Sequence, residues 1–508
     1  MSQKIVTCKV VTPMFSRGAE EPIYDKNANA SVYHFELRPQ SVKGVLRFWF
    51  RAVAPLVIDV HKLKKTNGDK DEKMDLKRYD QKDNDKTYDG LKLIESLIFG
   101  SQDVKAPFGL TVELDGHGEP IGFFDKDQKR KFFSNIFGTS NKNTEQANSQ
   151  PKKIRFDNVN YALYGLYDSS SGNRRMYSFL PVNSTFNITF FIKDESVWPI
   201  LQGLLKLVSV FSGFGAKTRK GFGEFEIIKI TGDDGSQEAT FSRDSFFCAQ
   251  NSDEACVNKF INEVANSISK FAKTYNERHK DSSFILEQTK FNDVPEFPNF
   301  TDNIIYVPHN LSCQSTKFLF ERLYKTTKDH KGLYPQAKQE LRKCESRDCI
   351  NDLISALEGQ KEKEKVKIPP TILGLPLQYY NLKPKKTKIK DFNKLKITIY
   401  SSLAGLADDE TGRKASPLFV SIHRRNDKWF PVFLILPSQM TNKRLDDGII
   451  LEREISFDNH SGPNNSNQSE NKSTQCSINE DFTITAYEDF KKLKEILEKI
   501  SQGGGDPR

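Results

Sequence analysis

One stretch constrains the fold of this chain more than any other: Gly213-Phe-Gly-Ala-Lys-Thr-Arg-Lys-Gly-Phe-Gly223. Four glycines (Gly213, Gly215, Gly221, Gly223) in so short a segment permit backbone conformations and close approaches that other residues resist. The same segment carries three cations, Lys217, Arg219 and Lys220. An apolar, helix-length segment at 197–210 leads into it, and an alternating strand pattern at 224–230 leaves it. A nucleotide-binding Walker loop runs the other way, from strand to helix, so that phosphate meets a helix N-terminus. It also needs glycine where this chain has Phe211 and Ala216. The segment is therefore no NTPase loop. Its glycines would let a phosphate chain approach the backbone, with the cations pointing at it.

The order of elements around the loop predicts the fold. Residues 4–11 alternate and are rich in Val, Ile and Thr, a strand pattern ended by Pro13. An amphipathic helix is expected over 42–57 with Ser41 as N-cap, and a shorter one over 91–99 ended by Gly100. Residues 110–114 and 183–192 read as strands. Two stretches, 61–89 and 126–155, are so polar that they read as surface insertions. Without them the order is βαββαβ, that of a ferredoxin-like domain, here spanning 1–230. A linker and helical segment should follow over 231–300, its helix at 256–279. A second α+β domain is expected over 301–500, with strands at 303–307, 397–400, 418–423 and 430–436, helical stretches within 317–357 and a last helix at 487–500. The expected fold class is thus α+β, two ferredoxin-like domains with polar insertions and additional helices.

Charge narrows the function through its distribution, not its total. The chain of 508 residues has 76 Lys and Arg against 67 Asp and Glu, a net +9 that diagnoses nothing by itself. From Arg38 to Arg51, however, four positive charges occur with no acid. Lys43, Arg47 and Arg51 stand at i, i+4 and i+8, one stripe of the predicted helix, while Val42, Val45, Leu46, Trp49 and Ala52 form the arc to be buried. Either this is a solvated face, with a carboxylate elsewhere in the fold pairing the bases, or it is a binding stripe. A third basic cluster, 412–425, contains Arg413, Lys414 and Arg424, and reads equally as a charged strand edge that blocks aggregation. Phe214 and Phe222 could offer stacking faces or fill the core.

Other chemistries find little support. Seven cysteines form no C-x-x-C pair and eight histidines no metal-binding spacing, so neither a disulfide framework nor a zinc site nor any cofactor is expected. The longest apolar run, 429–436, is broken by Pro431, and the first nine residues have no apolar core of a signal peptide. A cytoplasmic location is expected. His34, beside Tyr33, is the residue best placed to act as a general base on a ribose hydroxyl, but no convincing His/Tyr/Lys set accompanies it.

These motifs carry a resemblance. Thr12-Pro-Met-Phe15, the basic stretch Arg38 to Arg51, Ile98-Phe-Gly-Ser101 and the glycine loop together resemble RAMP-superfamily proteins of CRISPR systems. The form Arg-Phe-Trp-Phe-Arg in the first helix looks most like the first RAMP subunit of the type III-B Cmr complex. Gly374-Leu-Pro376 and Ser416-Pro-Leu-Phe419 are similar to elements of that subunit's second half. The likeness covers 1–230 well and 370–436 loosely. It implies two RRM-related domains in a non-catalytic, RNA-binding and architectural subunit of an antiviral ribonucleoprotein, engaging guide RNA and target RNA near the guide 3′ end. Partners would be other Cmr RAMP subunits: a neighbouring backbone subunit and another end-capping one. By motif position, Lys43, Arg47, Arg51 and the loop cations would line the RNA path. The competing expectation is a metal-independent endoribonuclease that processes CRISPR transcripts.

Overall fold

The structure is a computed structural model that describes residues 1–18, 21–25, 30–65, 88–115, 160–163, 166, 174–233, 235–237, 241–247, 253–279, 282–292, 294–308, 310–326, 331–343, 372–374, 377–382, 394–401, 415–439, 449–456, 472–478 and 487–503. The chain divides into two compact units: Met1–Lys290 with Asn299–Gly332 and Phe419–Leu434, and Phe291–Pro298 with Leu333–Leu418 and Ile435–Arg508.

The first unit is built on strands β1 (Ser2–Val10), β2 (Phe108–Asp115), β3 (Thr185–Ile192) and β4 (Phe225–Gly232), in the spatial order β4-β1-β3-β2. Every neighbouring pair is antiparallel. Helix α1 (Pro39–Val53) falls between β1 and β2, and α3 (Trp198–Phe211) between β3 and β4; α2 (Asp89–Phe99) is an extra helix. The βαββαβ order expected from the sequence is thus the observed one. Period-two alternation explains β1, whose Val6, Cys8 and Val10 are buried.

Helix α1 starts earlier than the capping pattern predicted. Pro39 takes the first helical position, where its missing N–H costs nothing and its fixed φ is already helical, so Ser41 lies inside the first turn. The regular helix ends at Val53 and tightens into a 3-10 turn over Ala54–Leu56. Val42, Leu46, Trp49 and Ala52 are buried as expected, with Phe50 and Val53 besides; Val45 is only half-buried. Trp49 anchors this core, 6.0 Å from Phe211, 5.8 Å from Phe300 and 5.4 Å from Phe419 between ring centroids. Replacing it by Ala would cost about 3–5 kcal/mol, as loss of a buried aromatic does.

Late in the sequence a hairpin joins this unit. Strands β6 (Leu418–Arg425) and β7 (Lys428–Ile435) form a three-stranded sheet with β5 (Ile304–Tyr306), in the order β5-β7-β6. The hairpin turn is Asn426-Asp427, both at positive φ (48° and 60°), the geometry whose twist matches the strands. Helices α4 (Asp253–Arg278) and α5 (Thr316–Tyr324) belong here too. The first expected insertion begins with order: Leu63–Lys65 pairs with Ser282–Phe284. Its remainder from 66 to 87, and all of 126–155, lie outside the described residues.

The second unit holds a four-stranded antiparallel sheet of Leu377–Leu382, Lys394–Ser401, Ile449–Ser456 and Lys472–Ile478, in chain order. Helices Leu333–Lys343 and Tyr487–Gly503 pack against each other. Among the described residues no helix is long and apolar enough to cross a membrane. The described residues form a mixed α+β fold whose two four-stranded sheets are antiparallel, with a parallel pairing of Ala30–Tyr33 and Arg174–Tyr177 in a smaller sheet.

Candidate nucleic-acid interface

The basic stripe of α1 is real, and it has an acid opposite it. Glu95 of α2 receives Arg51 through two bonds, Nε to Oε2 at 2.5 Å and Nη2 to Oε1 at 2.7 Å, the bidentate geometry a guanidinium favours. Arg47 Nε lies 3.7 Å from the same carboxylate, and its Nη2 donates to the Phe99 carbonyl (3.3 Å) and the Gly100 carbonyl. The hydrogen bond to Glu95 raises the Arg51 pKa further. Lys43 stands apart: its Nζ lies 5.4 Å above the Phe108 ring, and burial, then the nearby Arg47 charge, lowers its pKa. The stripe is thus a lysine followed by two arginines gathered on one carboxylate, with half of the Arg51 side chain still exposed.

The glycine loop is stitched into the fold on both sides. Ala216 N–H donates to the Phe15 carbonyl at 2.6 Å, Gly223 N–H to Pro13 at 2.9 Å, and Phe214 N–H to Gly223 at 2.9 Å. On the other side Val420 N–H of β6 donates to the Arg219 carbonyl at 3.2 Å, and the Tyr324 hydroxyl to the Lys220 carbonyl at 3.0 Å. These contacts explain the glycines. Gly215 has φ +91°, and a Cβ there would sit 2.1 Å from the Phe15 carbonyl oxygen; Gly223 has φ +73° and a Cβ would sit 2.0 Å from the Phe214 oxygen. The close approach they permit is to the protein's own backbone. Gly213 likewise faces Gly223, and Gly221 faces Ile422.

Both loop phenylalanines are core residues. Phe214 stacks on Phe225 at 4.8 Å and 7°, and Phe222 lies 4.5 Å from Phe320; neither is exposed. The three cations are half-buried between these anchors. Arg219 sits over Phe419 (4.6 Å) and Phe48 of α1 (5.5 Å), and burial pushes its pKa down to about 10. At Phe48 the loop and the basic helix meet. Lys217 has φ +64°, so this part of the loop is held in a conformation only a fixed environment maintains.

Behind the loop lies a buried polar cluster. Glu224 accepts the Ile422 N–H (2.8 and 3.0 Å) and Arg243 Nη2 (2.5 Å), which also donates to the Ile422 carbonyl (2.9 Å). Burial pushes the Glu224 carboxyl up to about 8 against the pull of Arg243. Next to it, His423 Nδ1 lies 3.0 Å from Asp244 Oδ1, and its Nε2 lies 3.1 Å from Ser421 Oγ and 2.9 Å from the Val210 carbonyl. Burial, then Arg243, pushes the imidazole down to about 4, so at neutral pH it is uncharged. Asp244, His423 and Ser421 follow the order of a nucleophilic triad, but His423 is 0% and Ser421 1% exposed. No substrate reaches such a hydroxyl; the cluster ties α3, β4 and β6 together.

The remaining candidates divide. Arg413 and Lys414 lie outside the described residues. Arg424 is exposed, pairs with Asp427 (Nη2 to Oδ1, 2.8 Å) and lies 5.6 Å from the Trp429 ring centroid. His34 is exposed. Beside it is a feature the sequence reading missed. Tyr33 and Tyr177, paired across parallel strands, stack at 5.0 Å and 19°, and Arg17 lies 4.8 Å and 5.6 Å from their rings. Tyr177 stands 144 positions from Tyr33 in number, so only the strand pairing brings them together. Among the described residues no group of three or more His, Cys, Asp and Glu is arranged to hold a metal.

Comparison with known proteins is consistent with the motifs. Residues 7–226 match the family model described as the RAMP superfamily. The CRISPR system Cmr subunit Cmr1-2 of Pyrococcus furiosus is 23% identical over 237 residues, which is 45% of this chain and 96% of that one. Among solved structures, apo Cmr1 from Pyrococcus furiosus is similar at a TM-score of 0.40 and 12% identity, covering 86% of this chain and 88% of that chain. A chain of the type III-B Cmr-beta complex bound to cognate target RNA is similar at 0.39 and 13%, covering 99% of each. The resemblance read from the motifs is borne out by the family match and the curated relative.

Proposed function

We propose that this chain, whose residues 7–226 match the RAMP-superfamily model, is a non-catalytic RNA-binding and architectural subunit of a type III-B Cmr ribonucleoprotein. The observation that carries this reading is the glycine loop. Its backbone is pinned to Phe15 on one side and to β6 on the other, and the loop carries Lys217, Arg219 and Lys220, with Arg219 over Phe48 of the basic helix. Cations on a fixed backbone suit a sequence-independent phosphate strand, because they lose little freedom on binding. The Tyr33–Tyr177 pair with Arg17 adds an aromatic and cationic surface of the kind unpaired bases stack on.

In this reading the chain engages guide RNA and target RNA near the guide 3′ end, contacts neighbouring Cmr RAMP subunits and works in the cytoplasm. An N-terminal RAMP domain ends near 230, a helical connector runs to 300, and a second RAMP-related, ferredoxin-like α+β portion follows over 301–500. The antiparallel sheet of the second unit supports that last element, whereas the β6–β7 hairpin belongs to the first unit. The sealed Ser421–His423–Asp244 cluster supports an absence of hydrolytic chemistry there.

The test is binding of unrelated single-stranded RNAs to the purified chain. Lys43→Ala with Lys220→Ala should weaken them all about equally, since backbone contacts carry no sequence information. Loss confined to one sequence would show base reading and overturn the assignment. Incubation with repeat RNA in EDTA is the second arm. Cleavage that disappears in His34→Ala would replace this reading with the endoribonuclease one.

A further inference from the structure

A partly open cavity of about 280 Å³ lies in the first unit, between the end of β1, the turn at Val182 and Asn183, β4 and the β6–β7 hairpin. Its lining includes Trp429, Arg424, Arg243, Asp244, Asn183 and the Lys9–Glu226 ion pair (3.0 Å). Three features set it apart. Trp429 is half-buried, whereas the other two tryptophans, Trp49 and Trp198, are buried. Arg243 is only 3% exposed, yet its Nε–H is a buried donor with no partner. Such orphans are rare, and here the residue borders a space large enough to hold an acceptor. Finally, Asn183 lines the cavity with its backbone held at φ +70° and its backbone N–H donated to the Val10 carbonyl, so an exposed carboxamide is attached to a fixed point of the rim.

We propose that this cavity receives one unstacked nucleobase of a bound RNA strand. The chemistry selects that class of ligand. An aromatic wall offers a face for stacking, and the lining carries both a donor without a partner (Arg243 Nε) and a carboxamide able to donate and to accept (Asn183). A planar heterocycle with both kinds of group on its edge is complementary to that arrangement. A bare phosphate is not, because it would face the Asp244 and Glu226 carboxylates and gain nothing from the indole. The volume is at the small end for ligand pockets, enough for one base and not for a stack. Arg424, exposed at the mouth beside Trp429, would take the phosphate of the same nucleotide. The proposal rests on the RNA-binding reading above and adds to it a site where a base, not only the backbone, is held.

The half-buried Trp429 supplies the assay. The full chain is titrated with the four ribonucleoside monophosphates and with inorganic phosphate while tryptophan fluorescence is followed, and RNA binding is measured separately by anisotropy of a labelled single strand. At least one monophosphate should quench saturably and phosphate should not. The quench should weaken in Asn183→Gly, which keeps the backbone conformation and removes the amide. Trp429→Ala should weaken RNA binding about tenfold, as loss of one base stack does. Should Trp429→Ala fail to fold, Asn183→Gly and the wild-type titration still decide. RNA binding without any monophosphate quench, unchanged in both variants, overturns the pocket and leaves the RNA reading standing. A quench without RNA binding keeps the pocket and overturns that reading. Equal quenching by phosphate, or a quench unchanged in Asn183→Gly, overturns the base assignment.

Discussion

Replacing Lys217, Arg219 and Lys220 together by Ala should change the salt dependence of RNA binding by a calculable amount. Each phosphate contact of a single strand contributes about 0.7 to the slope of log K against log salt, so three contacts contribute about 2. The structure separates the three residues. Arg219 lies over Phe419 and Phe48, so its loss removes two cation–π contacts as well as a charge. At roughly 0.5–1 kcal/mol each at partly exposed sites, that is about 1–2 kcal/mol of folding stability. The double variant Lys217→Ala, Lys220→Ala leaves those ring contacts and should lower the slope by about 1.4 with a smaller loss of melting temperature than the triple variant. Anisotropy titrations across a salt series, with thermal denaturation of each variant, give both quantities. A folded triple variant with an unchanged slope would remove the loop from the RNA path. A double variant that melts as far below the wild type as the triple one, with an unchanged slope, would show that the lysines serve the fold instead.

Glu95→Gln should free Arg47 and Arg51 from their shared carboxylate, lowering stability by about 1–3 kcal/mol while steepening the RNA salt slope by up to about 1.4; an unchanged slope would confine both arginines to structure. Gly215→Ala should cost about 1–3 kcal/mol from its positive φ alone, with the Phe15 carbonyl in the way besides, and a melting temperature equal to wild type would contradict the packing described. His423 has its folded pKa depressed to about 4 from an unfolded value near 6.5, so its contribution is complete above pH ~6.5 and is lost as pH falls toward 4, at up to about 1.4 kcal/mol per pH unit. Glu224, raised to about 8, acts in the opposite sense over pH ~4.5–8, so the comparison is between wild type and His423→Gln: denaturant titrations at pH 5 and 7 should show a smaller acid loss in the variant, and an equal loss would refute the assignment.

The first unit was legible because its signals are local. Period-two alternation marked β1 and β3, apolar helical spacing marked α1 and α3, and glycines marked the loop between α3 and β4. Helix α1 was misplaced by three residues because Pro39 at the first position outweighs a serine that merely looks like a cap. The polar stretch after His61 hid the strand Leu63–Lys65, whose partner Ser282–Phe284 is more than two hundred residues away. The site was legible only as charge. That Arg47 and Arg51 share Glu95, that Arg219 lies on Phe419, and that Tyr33 meets Tyr177 are all consequences of pairing between distant segments. The glycines were read as room for a phosphate, and they turn out to be room for the Phe15 and Phe214 carbonyls.

That difference bears on how the interface works. A glycine loop that wrapped a phosphate would be ordered by its ligand and would lose conformational freedom on binding. This loop is ordered by β6 and by Phe15 before any RNA arrives, so its cations are presented at little further entropic cost. The charge available is nonetheless small. With two arginines engaged by Glu95, Lys43 and the three loop cations set an upper bound of about four phosphate contacts, a slope of at most about 3, and a fall in affinity of no more than roughly fiftyfold between 50 and 200 mM salt. Few contacts of this kind hold RNA weakly at physiological salt. A chain so equipped suits a place within an assembly, where neighbouring subunits share one strand and each needs to add only a few contacts to a joint hold.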